Sequence, residues 1–256
     1  MSVKVENIRY QSDGILKWLD NYRDKWEDFY PSEKWAFEWI QNNSRYGRVL
    51  DVGCAMGGLG LTLSKRYKLE EYRGIDINPQ VIERARQKIG SFSIPVRFDC
   101  EDVMKIKNLE RGAFDNVFSL SCADWNVETD GIIQRCWECV KPGGNFIMSL
   151  RLTHLQGIND LARSHQCIAY DENKQCVESA NYVVFNIKEF LQLTASLNPK
   201  PSLVTGYGYW GKPSLNAVTP YKELVFGVFI VQKAKEPQEE NKIKTELFLP
   251  LNVLTQ

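Results

Sequence analysis

Apolar positions change their spacing twice along this chain. In the first 45 residues Ile15, Leu19, Tyr22, Trp26 and Phe29 recur at steps of four and three, which puts one apolar stripe on a helix. Pro31 is expected to end that stretch and Ser32 to cap a second helix, whose buried face is Trp35, Ala36, Trp39 and Ile40. Four of the seven tryptophans fall here. The plain reading is a small helical layer sealed by large aromatics; the sharper one is a lid over a ligand site.

From residue 48 short apolar runs alternate with helical patterns. RVLDVGC, YRGIDIN, IPVRFDC, FDNVFSLSC and NFIMSLRL read as buried strands. LGLTLSKRY, the stretch after Asn78-Pro79 with Val81, Ile82, Ala85 and Ile89 buried, and GIIQRCWECV read as the helices between them. This alternation predicts a doubly wound, mostly parallel α/β sheet covered on both faces. Asn186 and Glu189 form a capping-box pattern for a helix through Leu197, and two closing strands follow over 202–209 and 224–232. Residues 153–183 break the alternation with a short helical run, INDLARS, and flanking strand-like segments, and are expected to form a cap insertion above the sheet. The resulting division is a helical lid (1–45), a main domain (46–232), and a charged linker with an apolar tail (233–256). Leu247, Phe248, Leu249, Leu251 and Val253 in that tail are expected to fold back on their own domain, a homodimer contact being the alternative.

Composition narrows the function classes. Lys plus Arg equals Asp plus Glu at 32 each, so the net charge is zero. That removes the counterion-release contribution on which nucleic-acid binding rests, and nucleic acid is not an expected partner. The longest apolar run, Leu224 to Val231, is far short of a membrane span, and the opening MSVKVENIRYQSDG lacks the apolar core of a secretory signal. Seven cysteines, an odd number, read as reduced thiols in a cytoplasmic protein. Cys136 and Cys139 form a lone C-x-x-C on a helix without further ligands, so they are expected to be core thiols and no metal site is predicted.

Chemistry concentrates at three consecutive strand ends. VLDVGCAMGGLG (49–60) is a buried strand running through a small-residue turn into a helix, where backbone can approach a ligand closely. It has neither the Gly-Lys-Ser/Thr of a phosphate loop nor the G-x-G-x-x-G of a dinucleotide site. Asp51, two residues before Gly53, suits a cationic amino group and would repel a pyrophosphate. Asp76 in GIDIN ends the second strand, where a carboxylate can take both hydroxyls of a ribose. Asp99 in FDCEDV ends the third and can accept from an adenine amino group, with the Cys100 N–H donating to the ring.

These motifs, in this order, resemble those of class I S-adenosylmethionine-dependent methyltransferases over about residues 45–232. The fold that resemblance implies is a Rossmann-like seven-stranded sheet with an antiparallel last strand. It places Asp51, Gly53, Cys54, Ala55, Gly57 and Gly58 around the methionine part of S-adenosylmethionine. Asp76 and Ile77 would lie at the ribose, Asp99 and Cys100 at the adenine, and Ser121 at the sulfonium. Ala55 stands where many members carry a second glycine, a methyl that is tolerable there if its φ is negative. The acceptor would meet the methyl group above SCADWN (121–126) and RLTH (151–154). His154 and Asp124 are the candidate bases, and Trp125, Arg151, Tyr209 and Trp210 the candidate acceptor contacts. The Asn/Asp-Pro-Pro-aromatic signature of amino-directed nucleic-acid enzymes is absent. A small polar acceptor such as a sugar or natural-product intermediate is therefore the expectation, ahead of a nucleic-acid or protein substrate or a non-catalytic binding module.

Overall fold

The computed structural model describes residues 23–236 and 243–254; Ile15, Leu19 and Tyr22 lie outside them. At the sheet centre, β1 (Gly47–Val52) is buried nearly throughout, because Val49 faces one apolar layer and Leu50 and Val52 the other. The same alternation runs through β4 (Phe114–Ser119), with Val117 and Phe118 on opposite faces, and through β5 (Val140–Thr153), with Phe146 and Ile147. Strands without a polar face require cover on both sides. On one side lie α1 (Pro31–Asn43), α2 (Gly58–Arg66) and α3 (Pro79–Gln87); on the other lie α4 (Thr129–Cys139) and α5 (Ile187–Ser196).

β2 (Leu69–Asp76) and β3 (Val96–Cys100) extend the sheet parallel to β1 on one side, while β4 and β5 do so on the other. Beyond β5 comes β11 (Leu224–Lys233), antiparallel to both β5 and β9 (Pro201–Gly211). These seven strands are the predicted set, with the last in sequence antiparallel. Two short additions bring the count to nine: β8 (Phe185–Asn186) against β5, and β12 (Lys244–Phe248) against the edge of β9. β12 carries the tail back onto its own sheet, with Leu249 and Val253 buried there.

In the cap, β6 (His165–Tyr170) and β7 (Cys176–Asn181) make a second sheet whose third strand, β10 (Ala217–Val218), comes from the connection between β9 and β11. The chain leaves the main sheet after Thr153 and rejoins it at β8, where Leu152 and Thr153 pair with Phe185 and Asn186. An isolated bridge between Ile158 and Val184 closes the neck.

Three sequence expectations need correction. Pro31 does not end a helix but opens α1 at its first turn, with the Tyr30 N–H donating to the Glu33 carboxylate at 2.9 Å; residues 26–28 make only a 3-10 turn. INDLARS is not helical: Ile158 is held in the neck bridge and a turn follows. The cysteines are not all free: the β6–β7 hairpin, whose register slips between Cys167 and Tyr170, brings Cys167 and Cys176 to a Cα separation of 5.7 Å and they are disulfide-bonded. Cys136 and Cys139 are free and fully buried in the α4 layer. Among the described residues no helix is long and apolar enough to cross a membrane.

Candidate functional site

A cavity of about 800 Å³ opens at the carboxyl ends of β1, β2, β4 and β5, under residues 23–33 from one side and the cap from the other. Ligands of open α/β sheets bind at this end because every loop after a parallel strand emerges there.

One wall is the turn after β1. The N–H groups of Gly53 and Cys54 donate to the Ile75 carbonyl at 2.8 and 3.1 Å, stapling the turn to β2. Gly53 has φ +78°, and a Cβ there would sit 2.5 Å from the Cys122 sulfur, so only glycine fits. Ala55 adopts φ +46°, contrary to the negative φ expected for its methyl. Its N–H donates to Asp76 Oδ2 at 3.1 Å, which holds an alanine in a conformation costing roughly 1–2 kcal/mol. The other oxygen of Asp76 takes the Asn78 N–H at 2.9 Å, and Asn78 caps α3 through Gln80 and Val81. Asp76 thus positions its own turn as well as facing the cavity.

Asp51 is buried beneath this wall, accepting from the Tyr72 hydroxyl at 2.6 Å. Burial pushes its carboxyl up to about 7, against the lowering effects of Tyr72 and Arg23. Burial also raises Asp76, opposed by its backbone donors. Two carboxyls held this way at adjacent strand ends match a ligand carrying an ammonium group and a diol.

The opposite wall comes from distant parts of the chain. Ser121 receives Arg23 Nη2 on its hydroxyl at 3.0 Å and donates its N–H to Ser149. Arg23 also pairs with the buried Glu33 at 2.6 Å, whose carboxyl is raised by burial and lowered by that arginine. Asp124 and Arg151 form a buried ion pair at 3.0 Å, and burial raises the Asp124 carboxyl against the pull of Arg151. The Arg151 guanidinium lies 3.6 Å from the centre of the Tyr182 ring and 4.5 Å from that of Trp125.

Residues 49–144 match the family model described as a methyltransferase domain. Among curated proteins, the chain is 26% identical over 110 residues to trans-aconitate 2-methyltransferase of Deinococcus radiodurans, covering 43% of this chain and 40% of that one. It is 30% identical over 105 residues to demethylmenaquinone methyltransferase of the same organism, covering 40% and 42%. The match therefore spans about two-fifths of these relatives' length. A solved S-adenosylmethionine-dependent methyltransferase from Clostridium acetobutylicum superposes with a TM-score of 0.54 at 15% identity, over 86% of this chain and 99% of that one. This is a class I methyltransferase fold.

Within the methyltransferase fold the expected residues divide. Asp51, Gly53, Cys54, Ala55, Gly58, Asp76, Ile77 and Ser121 line the cavity, as do Asp124, Trp125, Arg151 and Tyr209. Gly57 does not line it; with φ +74° it is the left-handed residue that starts α2. Asp99 is a correction: it lies outside the cavity lining, accepting from Arg73 Nε at 2.7 Å and Arg97 Nε at 2.8 Å. Cys100 is outside too, and Glu101, Asp102 and Val103 take that stretch of wall. The two arginines explain the miss, since both hold the Asp99 carboxylate and neither lines the cavity. His154 is a second correction, packing edge-on against Trp210 at 6.1 Å outside the cavity. Trp210 accompanies it there and donates to Asn252 of the tail at 3.0 Å. Arg151 reaches the cavity with Nε on the Val183 carbonyl and Nη2 on Asp124. Sequence reasoning missed Arg23, Glu33, Gln166 and Tyr182. Glu33 had a local signal, sitting three residues after a cap position; the others had none.

Proposed function

We propose that this protein transfers a methyl group from S-adenosylmethionine to oxygen or nitrogen of a small polar acceptor. The observation that carries the reading is the convergence of Asp51 and Asp76, from adjacent strand ends, on one cavity beside a turn too tight for a side chain at Gly53. When bound, the cofactor supplies a methyl group on a positively charged sulfur. Asp51 is suited to the cofactor's amino group, Asp76 to its ribose hydroxyls, and Glu101 to Val103 to the adenine side. Asp124 is the base this reading favours: its Oδ1 has no hydrogen-bond partner, and burial raises its affinity for a proton toward the useful range. Arg151 orients that carboxylate and balances its charge. Residues 23–33 and the cap wall the site on two sides, and water excluded between them sharpens the alignment of the two reactants.

Calorimetry with S-adenosylhomocysteine tests the donor half; absence of binding at millimolar ligand ends the reading. A metabolite extract incubated with isotope-labelled cofactor tests the acceptor half through a mass shift in one component. Tight cofactor binding without any labelled product would leave a binding module, and label in RNA or protein would move the acceptor to a macromolecule.

A further inference from the structure

The disulfide of the cap joins the cavity wall to solvent. Cys167 is buried and lines the cavity together with its neighbours Gln166 and Ile168. Cys176 lies outside the lining and is exposed, between the exposed Gln175 and Val177. The other five cysteines are free, and Cys54, Cys136 and Cys139 among them are buried.

The strand register shows what this bond holds. The inner part of β6 is fixed without it. His165, Gln166 and Cys167 pair with Asn181, Ala180 and Ser179 of β7, and His165 and Gln166 also pair with Val218 and Ala217 of β10. The Cys167 N–H donates to the Asn216 carbonyl at 3.0 Å. Beyond Cys167 the register slips on both sides of Ala169 before Tyr170 meets Cys176, and it passes over Ile168. A bulged ladder loses pairing at the extra residue, so the Ile168 edge of the wall depends on the crosslink beside it.

The open form also has partners in place. Cys167 Sγ lies 3.2 Å from the Ala169 carbonyl oxygen and Cys176 Sγ 3.3 Å from that of Glu178, so each thiol formed by reduction meets an acceptor without a change of fold. We propose that Cys167–Cys176 is a thiol–disulfide exchange site, opened by a small dithiol, whose state sets how firmly the Ile168 edge of the cavity wall is held. A thiolate of the dithiol attacks the Cys176 sulfur, the S–S bond breaks, and Cys167 leaves as a thiolate that takes up a proton. The second thiol of the reagent loses its proton, attacks the mixed disulfide and releases Cys176, which is protonated in turn. Two electrons pass to the protein, and the dithiol ends as its own cyclic disulfide. The oxidised cap is the firm state and the reduced cap the loose one. Only the name acceptor side for this wall rests on the methyl-transfer reading; the exchange does not.

The test uses the full chain purified without reductant. Alkylation in denaturant followed by mass measurement should count five thiols before reduction and seven after it. Millimolar dithiothreitol should open the bond in the folded protein, leaving Cys54, Cys136 and Cys139 closed to alkylation until denaturant is added. Hydrogen exchange in peptides covering 166–178 should then quicken about tenfold, with 49–60 unchanged, and reoxidation by diamide should restore the slow rate. Cys176→Ser, which leaves every cavity-lining side chain in place, should exchange at the fast rate with or without reductant. Seven thiols before reduction, a bond that opens only when the protein unfolds, or equal exchange in the two states overturns the inference. A Cys176→Ser variant that exchanges at the slow rate does so too. S-adenosylhomocysteine, followed by calorimetry, should bind the oxidised and reduced forms equally, and unequal binding overturns the assignment of the effect to the cap wall. Binding to neither form ends the donor reading and leaves the exchange site standing.

Discussion

The two walls of the cavity are built by opposite means. On the cofactor side, Asp51, Gly53, Ala55 and Asp76 lie within one strand–turn–helix–strand unit and are fixed by backbone bonds between neighbouring strands. On the acceptor side, Arg23, Glu33, Asp124, Arg151, Gln166 and Tyr182 come from the first helical layer, the β4 loop, β5 and the cap, joined by side-chain pairs. The first wall is rigid because a sheet register holds it. The second exists only once distant segments have docked. On the methyl-transfer reading proposed above, the donor would meet local geometry and the acceptor assembled geometry, which separates two tasks free to change independently.

The largest expected effects test which acceptor-side residue does chemistry. Asp124→Asn should lower turnover about 10²–10⁴-fold while cofactor affinity is retained, measured on whichever acceptor the labelled extract identifies. His154→Ala should change turnover less than threefold, because its ring packs outside the cavity. The reverse ranking would return the base to the β5 terminus.

On the cofactor side, Gly53→Ala should cost at least about a hundredfold in S-adenosylhomocysteine affinity, since the methyl meets Cys122 and φ is positive. Partial recovery in a Cys122→Gly background would locate the fault at that contact. Asp76→Ala follows at tenfold or more, from the loss of charge-assisted bonds to the ribose. Unchanged affinity in a folded variant would reduce Asp76 to a support for Ala55 and Asn78.

A smaller effect is expected from pH. Ligand-free Asp51 holds its proton up to about 7, and the cofactor's ammonium group favours the ionised form. Affinity for S-adenosylhomocysteine should therefore fall below pH 7, by up to about tenfold per unit, and Asp51→Asn should flatten the profile. The stability sign is the opposite. A raised folded value favours the ligand-free protein at low pH, and the advantage disappears as pH rises from about 4 to 7. The smallest effect sharpens the comparison: Ala55→Gly should stabilise the fold by about 1 kcal/mol by relieving its left-handed backbone, read as a rise in Tm.

The same division explains what the sequence made legible. Strand periodicity, Asn78-Pro79, the Asn186–Glu189 box and the first two acidic strand ends, Asp51 and Asp76, are local patterns, and each corresponds to an observed element or a cavity-lining residue. Asp99 misled because proximity to a strand end does not reveal the two arginines that hold its carboxylate. His154 misled for a related reason, since it follows Arg151 closely in sequence yet turns to Trp210. Arg23 and Tyr182 were invisible because only tertiary docking brings them near Ser121 and Arg151. The disulfide escaped because an odd total of cysteines conceals a pair closed within one hairpin.

The neck of the cap makes it an exchangeable module. Its entry at Thr153 and exit at Asn186 are paired residues in the sheet, and Ile158 and Val184 clamp the two arms just above. An excursion that begins and ends at one point adds little strain to the sheet whatever its length, because closure entropy grows only logarithmically with the loop. The outer hairpin, residues 168–178, is the part of the cap free to lengthen or shorten, because Tyr182 and Val183 hold Arg151 of β5 and β6 pairs with β10. If the proposed methyl transfer holds, this is the place to graft a new acceptor preference while the turn after β1 stays unchanged.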